Sequence, residues 1–344
     1  MALKLLMAEP VEIDSKKCGL LADLLKRCAI PQPIEEGTLE GITAWQLPNF
    51  YFVLVAVCHQ TSPAGRPRLS GTLSSGEVSS GWDYLRKRFA ERIKGDQTLL
   101  DPHRWRKIAA NELEEVFADT AGVKTLIGVE RRAELIRDIG ERYEKLGITD
   151  ISDLYRQCEG WLVGGLKGGL YAALSQFAAY VDPVRKKSSF FLELMRGQCG
   201  WQYRDPQNLG APVDYHEVRG HLRIGTVVLT ELSLKEKILR GESVNAREDE
   251  VIRNAVHDAI ALISQAHGSC DPATLHYLFW NTFRNCCARE YQHCLQCTSS
   301  CTLPQRYREA FKAVENDRCV FATICNSVGK TDKLIEHRHE TDYY

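Results

Sequence analysis

From residue 110 to residue 268 the apolar side chains keep falling three and four apart, in ANELEEVFADTAG, GVERRAELIRDIGERYEKLG, LYAALSQFAAYV, KSSFFLELMRG and EDEVIRNAVHDAIALISQAHG. That spacing lines them along one face of a helix, and several of the runs stop at a glycine, which ends helices readily. The pattern predicts an all-α chain. Only WQLPNFYFVLVAVC at 45–58 and RIGTVVLTEL at 223–232 carry β-branched runs. Each reads equally as a strand or as a buried helix, because periodicity does not separate the two in a short apolar run. TSPAGRPRLSGTLSSGEVSSGW at 61–82 reads as a loop inserted within the fold.

At 344 residues, 44% hydrophobic and 26% charged, the chain has the size for two lobes and too many apolar groups for disorder. Its opening stretch lacks a long apolar core and a small-residue cleavage site, and no run approaches the ~18 uncharged apolar residues of a membrane span. A cytoplasmic protein is expected. Thirteen cysteines, an odd and clustered set, fit a reducing compartment and a metal site better than disulfides. The net charge of −1 gives no overall attraction to nucleic acid. Four basic runs do so locally: 84–94, 103–107, 182–189 and 216–223.

The densest chemistry lies in C-AREYQH-C-LQ-C-TSS-C, Cys287 to Cys301. Four thiolates on short loops suit an iron–sulfur cluster, whose sulfurs accept hydrogen bonds from the wrapping backbone. Zinc accepts the same four ligands tetrahedrally. The expected set is Cys287, Cys294, Cys297 and Cys301, with Cys286, Cys319 or Cys325 able to replace one member.

Three further features precede it in order. The apolar segment 50–58 runs into His59-Gln60-Thr61, AAYVDPVRKKSSFFLELM makes a turn and then opens a helix with Lys186 and Lys187, and Pro212-Val213-Asp214-Tyr215-His216 follows. With the cysteine loop, this order resembles the helix-hairpin-helix DNA glycosylase superfamily, of the 8-oxoguanine-glycosylase and endonuclease-III kind, over residues 45–305. The resemblance implies a two-lobed helical fold with the active cleft between the lobes. It places one lobe at 50–204 and the other at 1–49 plus 205–344, the latter carrying the metal loop at 286–301. It implies a [4Fe–4S] cluster, and duplex DNA with a damaged or modified purine as partner. Gln60, Arg185, His216 and Arg219 would meet that substrate, and Trp201, Phe190 or Tyr215 would stack on the extruded base. Two departures stand out. The family's glycine-rich hairpin is replaced by Tyr180-Val181-Asp182-Pro183-Val184-Arg185, where Pro183 has no N–H and Asp182 is negative. The last cysteine separation is three residues where the family has five.

The residues also argue for themselves. Breaking an N-glycosidic bond builds positive charge on the sugar, which a carboxylate beside the anomeric carbon stabilises; Asp214 is the candidate. A desolvated lysine loses its proton easily, attacks the same carbon and forms a Schiff base leading to β-lyase strand cleavage. Lys187 takes that role, with Lys186 the alternative nucleophile. Asp214 reads equally as a helix cap, the two lysines as a solvated helix start, and His216 as structural. Two rival functions remain: an N-glycosidase of a free modified nucleoside or nucleotide of the 7-deazaguanine type, and a non-catalytic nucleic-acid binder.

Overall fold

The computed structural model describes residues 9–32, 39–63, 66–165, 167–289, 292–297, 302–312, 314–315, 317–330 and 334–344. The protein is mostly α-helical, with fourteen α-helices and two short two-stranded sheets among the described residues. It divides into two units, residues 34–209 with 341–344, and residues 1–33 with 210–340. Residues 39–49, expected in the other lobe, therefore belong with the helices that follow them, and the last four residues belong to the same unit. None of the described helices is long and apolar enough to cross a membrane.

The unit of 34–209 is built around Leu47–Ala56, the first of the two ambiguous apolar segments, which is a helix buried from Pro48 to Ala56. A helix apolar on every side needs neighbours on every side. Phe52 stacks on Tyr180 at 4.7 Å and meets Phe177 and Phe191 edge-on. Phe191 belongs to Lys186–Cys199, which packs along this central helix. Val129–Leu146 covers another side and stops at left-handed Gly147, as its sequence predicts. The 61–82 stretch, expected as loop, holds a small antiparallel hairpin of Ser70–Thr72 with Val78–Ser80, turned through Gly76 at φ +83°.

In the other unit the second ambiguous segment splits. Its beginning closes the helix Tyr215–Ile224, Gly225 ends that helix at φ +91°, and Val227–Leu229 pairs antiparallel with Val11–Ile13. Ser15–Leu25 packs against the long helix Ala246–His267. Tyr215–Ile224 packs against Pro272–Cys286, and the approach is close enough that a Cβ on Gly220 would lie 2.2 Å from the Phe283 ring. That contact sets the end of the Pro272–Cys286 helix, and hence the start of the cysteine segment, against Arg219 and Arg223.

Candidate functional site

Helix Leu47–Ala56 ends inside its unit, so its last carbonyls need donors. Two cations supply them. Lys187 Nζ donates to the Ala56 carbonyl at 2.5 Å, and Arg132 donates to the carbonyls of Val57, His59 (2.6 Å) and Ile127 (2.8 Å). Positive charge at a helix C-terminus is favourable, but both cations are buried, at 0% and 1% exposure. Burial is the larger effect on Lys187 and brings its pKa down to about 7, while the nearby Cys58 and Asp342 push the other way. Burial likewise lowers Arg132 to about 10. His59, with Nδ1 3.5 Å from Lys187 Nζ, is held well below the usual histidine range by burial and then by Lys187 and Arg132, so it stays neutral. The result is a lysine close to half-neutral at physiological pH. Its Nζ has no exposed surface, so a sugar carbon reaches it only if neighbouring groups move. Lys186 is half-buried beside it, with Nζ 3.7 Å from Cys58 Sγ and over the Phe190 ring at 5.1 Å.

Two of the expected substrate residues, next in sequence to His59 and Lys186, sit in strained backbone. Gln60 (φ +49°) and Arg185 (φ +60°) are, with Glu159, the non-glycine residues at positive φ among those described. Such conformations cost roughly 1–3 kcal/mol each and concentrate at functional sites. Gln60 donates from its backbone N to the Tyr344 carbonyl at 3.2 Å and from Nε2 to the Thr341 carbonyl at 2.8 Å, while Arg131 holds Asp342 at 2.7 Å. Arg185 is exposed, with its guanidinium over the Tyr171 ring at 4.8 Å. The turn before it is self-contained. Asp182 is 3% exposed and accepts from Val184 N at 3.2 Å and Lys186 N at 2.9 Å, so the amides that open the lysine helix are bound to the chain's own carboxylate.

In the other unit Asp214 is the N-cap of Tyr215–Ile224. Oδ1 accepts from His216 N at 2.6 Å, Oδ2 accepts from Trp280 Nε1 at 3.1 Å, and Glu217 Oε2 accepts from Asp214 N at 3.2 Å, a capping box. The carboxylate is thus fixed in direction. Arg219 is expected at a DNA surface and lies instead inside its unit at 1% exposure. It pairs with Glu336 at 2.7 Å, donates to the Cys287 carbonyl at 2.7 Å and lies 2.8 Å from His216 Nδ1. An arginine only donates, so His216 Nδ1 is the acceptor there, and burial brings that imidazole down to about 3. Both residues are therefore committed to internal bonds. In two of the four basic runs, 84–94 and 103–107, several cations are ion-paired: Lys87 with Glu77, Arg88 with Glu91, Lys94 with Glu40, Arg104 with Asp96 and Glu112, and Arg106 with Glu144.

The expected metal ligands do not all gather. Cys287 and Cys294 line one cavity, together with Cys286, Cys319 and Cys325. Cys297 is exposed and lines a neighbouring cavity with His293 and Arg308, a cavity that Cys286 and Cys319 also border. Cys301 lies outside the described residues. Among the described residues no three Cys, His, Asp or Glu side chains are grouped to hold a single metal ion. The expected stacking residues have their own partners: Trp201 stacks on Tyr155 at 4.3 Å, Phe190 meets Trp82 edge-on at 4.8 Å, and Tyr215 lies under Arg289.

Sequence reasoning missed Arg132, the second cation on the Leu47–Ala56 helix end, and Asp342, the carboxylate whose charge reaches Lys187. Arg132 sits in a charged helix where nothing local sets it apart from Arg131, and Asp342 acts across about 155 residues of sequence. The chain matches no protein-family model, and it matches no curated protein.

Proposed function

We propose that this chain is an N-glycosylase with a helix-hairpin-helix glycosylase-like fold, cleaving the bond between a modified purine-type base and its sugar. The observation that carries the reading is the buried Lys187 amine, brought to about pKa 7 at the end of a buried helix. In its neutral form Nζ bonds to C1′ as the bond from C1′ to the base breaks. The base leaves with the bonding electrons and takes up a proton; opening of the sugar ring then gives a Schiff base. Asp214, with both carboxylate oxygens held by N–H donors, stabilises the positive charge that develops on the sugar. Lys186, half-buried, is the alternative nucleophile.

Two substrate classes follow from this chemistry. A free nucleoside or nucleotide of the 7-deazaguanine type is favoured by the Asp182 turn, which occupies the amides that a hairpin would offer a DNA phosphate, and by the ion pairs that several cations of runs 84–94 and 103–107 make within the chain. A modified base in DNA, with a β-lyase step, is favoured by exposed Arg185 on its strained turn, a cation placed for phosphate. Release of free base from 7-deazaguanine nucleosides, from their 5′-phosphates and from oligonucleotides carrying modified purines, followed by chromatography, tests the reading. It predicts release from at least one class and loss of two or more orders of magnitude in Asp214→Asn. No release from any of them contradicts it. The cofactor reading is a metal held by cysteines of the 1–33 and 210–340 unit, in a structural role.

A further inference from the structure

We propose that Cys287, Cys294, Cys319 and Cys325 form a four-thiolate site for an iron–sulfur cluster. The inference rests on the cofactor part of the reading above and not on its catalytic part. It replaces two of the four ligands that sequence spacing favours, keeping Cys287 and Cys294 and exchanging Cys297 and Cys301 for the later pair.

All four cysteines line one cavity, which Cys286, Phe283, Phe321 and the Gly220 face of a helix also border. The backbone brings them there from three stretches of chain. After the Pro272–Cys286 helix the chain folds back on itself through the Cys287–Gln292 bridge and the hydrogen bond from His293 N to the Cys286 carbonyl at 3.0 Å. Cys319 N donates to the Cys294 carbonyl at 3.3 Å, which sets Cys319 beside Cys294. Cys325 is placed at the end of helix Tyr215–Ile224, with Sγ 3.3 Å from the Arg223 carbonyl, a thiol contact that ligation would replace, and Asn326 N donating to the Ile224 carbonyl at 3.2 Å.

Arg223 supplies the second argument. It is 1% exposed, and its Nη1 lies 3.2 Å from Cys287 Sγ while donating also to the carbonyls of Cys287 and Ala288. This buried guanidinium sets a positive charge beside the sulfur, and four thiolates around a cluster carry the net negative charge that such a cation offsets.

The test uses the full chain purified without oxygen, and reads metal rather than turnover. Iron, acid-labile sulfide and zinc are measured. Thiols are then alkylated before and after the metal is stripped by chelator and oxidant, and each cysteine is mapped by mass spectrometry. The proposal predicts iron with sulfide, and Cys287, Cys294, Cys319 and Cys325 alkylated only after stripping, with Cys297 alkylated in both states. It also predicts that Cys319→Ser and Cys325→Ser lose most of the iron while Cys297→Ser keeps it. The alkylation map needs no variant to fold. Protein that holds zinc alone, or no metal, overturns the proposal; so does protection of Cys297 with Cys319 and Cys325 indifferent to stripping. Failure of the N-glycosylase reading would leave these measurements unchanged, and their failure would leave base release unchanged.

Discussion

The Lys187 amine both closes the end of a buried helix and is the base-cleaving nucleophile of our reading, and one pH range exposes both roles. An ordinary lysine titrates near 10.4, whereas folded Lys187 titrates at about 7. Between those values the unfolded chain holds the proton and the folded chain does not, so this residue's contribution to stability grows as pH rises above 7 and is lost as pH falls through it. Urea unfolding of the parent is therefore expected to shift to higher midpoint between pH 6 and pH 9 by more than that of Lys187→Met; equal shifts would contradict the lowered pKa. Activity has the same sign, since only the neutral amine attacks: the rate of base release at saturating substrate rises with a midpoint near pH 7. A midpoint near 10 would point to an unperturbed lysine. Arg219 belongs to this scale as well. Removing one partner of a buried ion pair costs about 3–5 kcal/mol, so Arg219→Ala is expected to lower unfolding free energy by that order. A change under about 0.5 kcal/mol, the usual cost at an exposed site, would return Arg219 to the surface.

Helix Lys186–Cys199 shows at the scale of an element how much was legible. The apolar period gave its extent, and the Asp-Pro turn before it was visible in the sequence. What Asp182 does there was not, because a carboxylate ahead of a helix reads alike whether it repels a ligand or caps its own amides. The structure has it capping Val184 and Lys186. Loss of such a cap costs about 1 kcal/mol, and Asp182→Ala should show that loss in denaturant unfolding; no change would mean that the amides find other partners. Leu47–Ala56 was ambiguous for a physical reason. A helix buried on every side has no polar face, so its sequence carries no period to read. Val227–Leu229 is a strand because Val11–Ile13 pairs with it across more than two hundred residues, a partner that no local pattern reveals. Asp214 illustrates the reverse case: its role as a helix cap was legible as an alternative, and the structure has that cap, as a capping box with Glu217, together with the Trp280 bond that a cap alone does not need.

For the whole molecule the question is which substrate the two units serve. The chain's charges are close to balanced and several cations of its basic runs are ion-paired, so salt divides the two classes. A protein holding DNA through six to ten phosphates loses about 10³–10⁵ in affinity between 50 and 200 mM salt; cleavage of a free nucleoside should change by less than about threefold, because screening has few charges to act on. Sequence alone brought out the helical class and the lysine pair, since both are local. It offered Cys319 and Cys325 only as replacements for one ligand, because they reach the cavity of Cys287 and Cys294 through tertiary packing and not through spacing. The central claim is that a lysine of this chain bonds to the sugar. Borohydride reduction during turnover, followed by peptide mapping, tests it most directly: a reduced sugar adduct on Lys187, absent without borohydride and absent in a folded Lys187→Met protein, is the result expected. Base released at the parent rate by that variant, with no adduct on Lys187 or Lys186 in the parent, would contradict it.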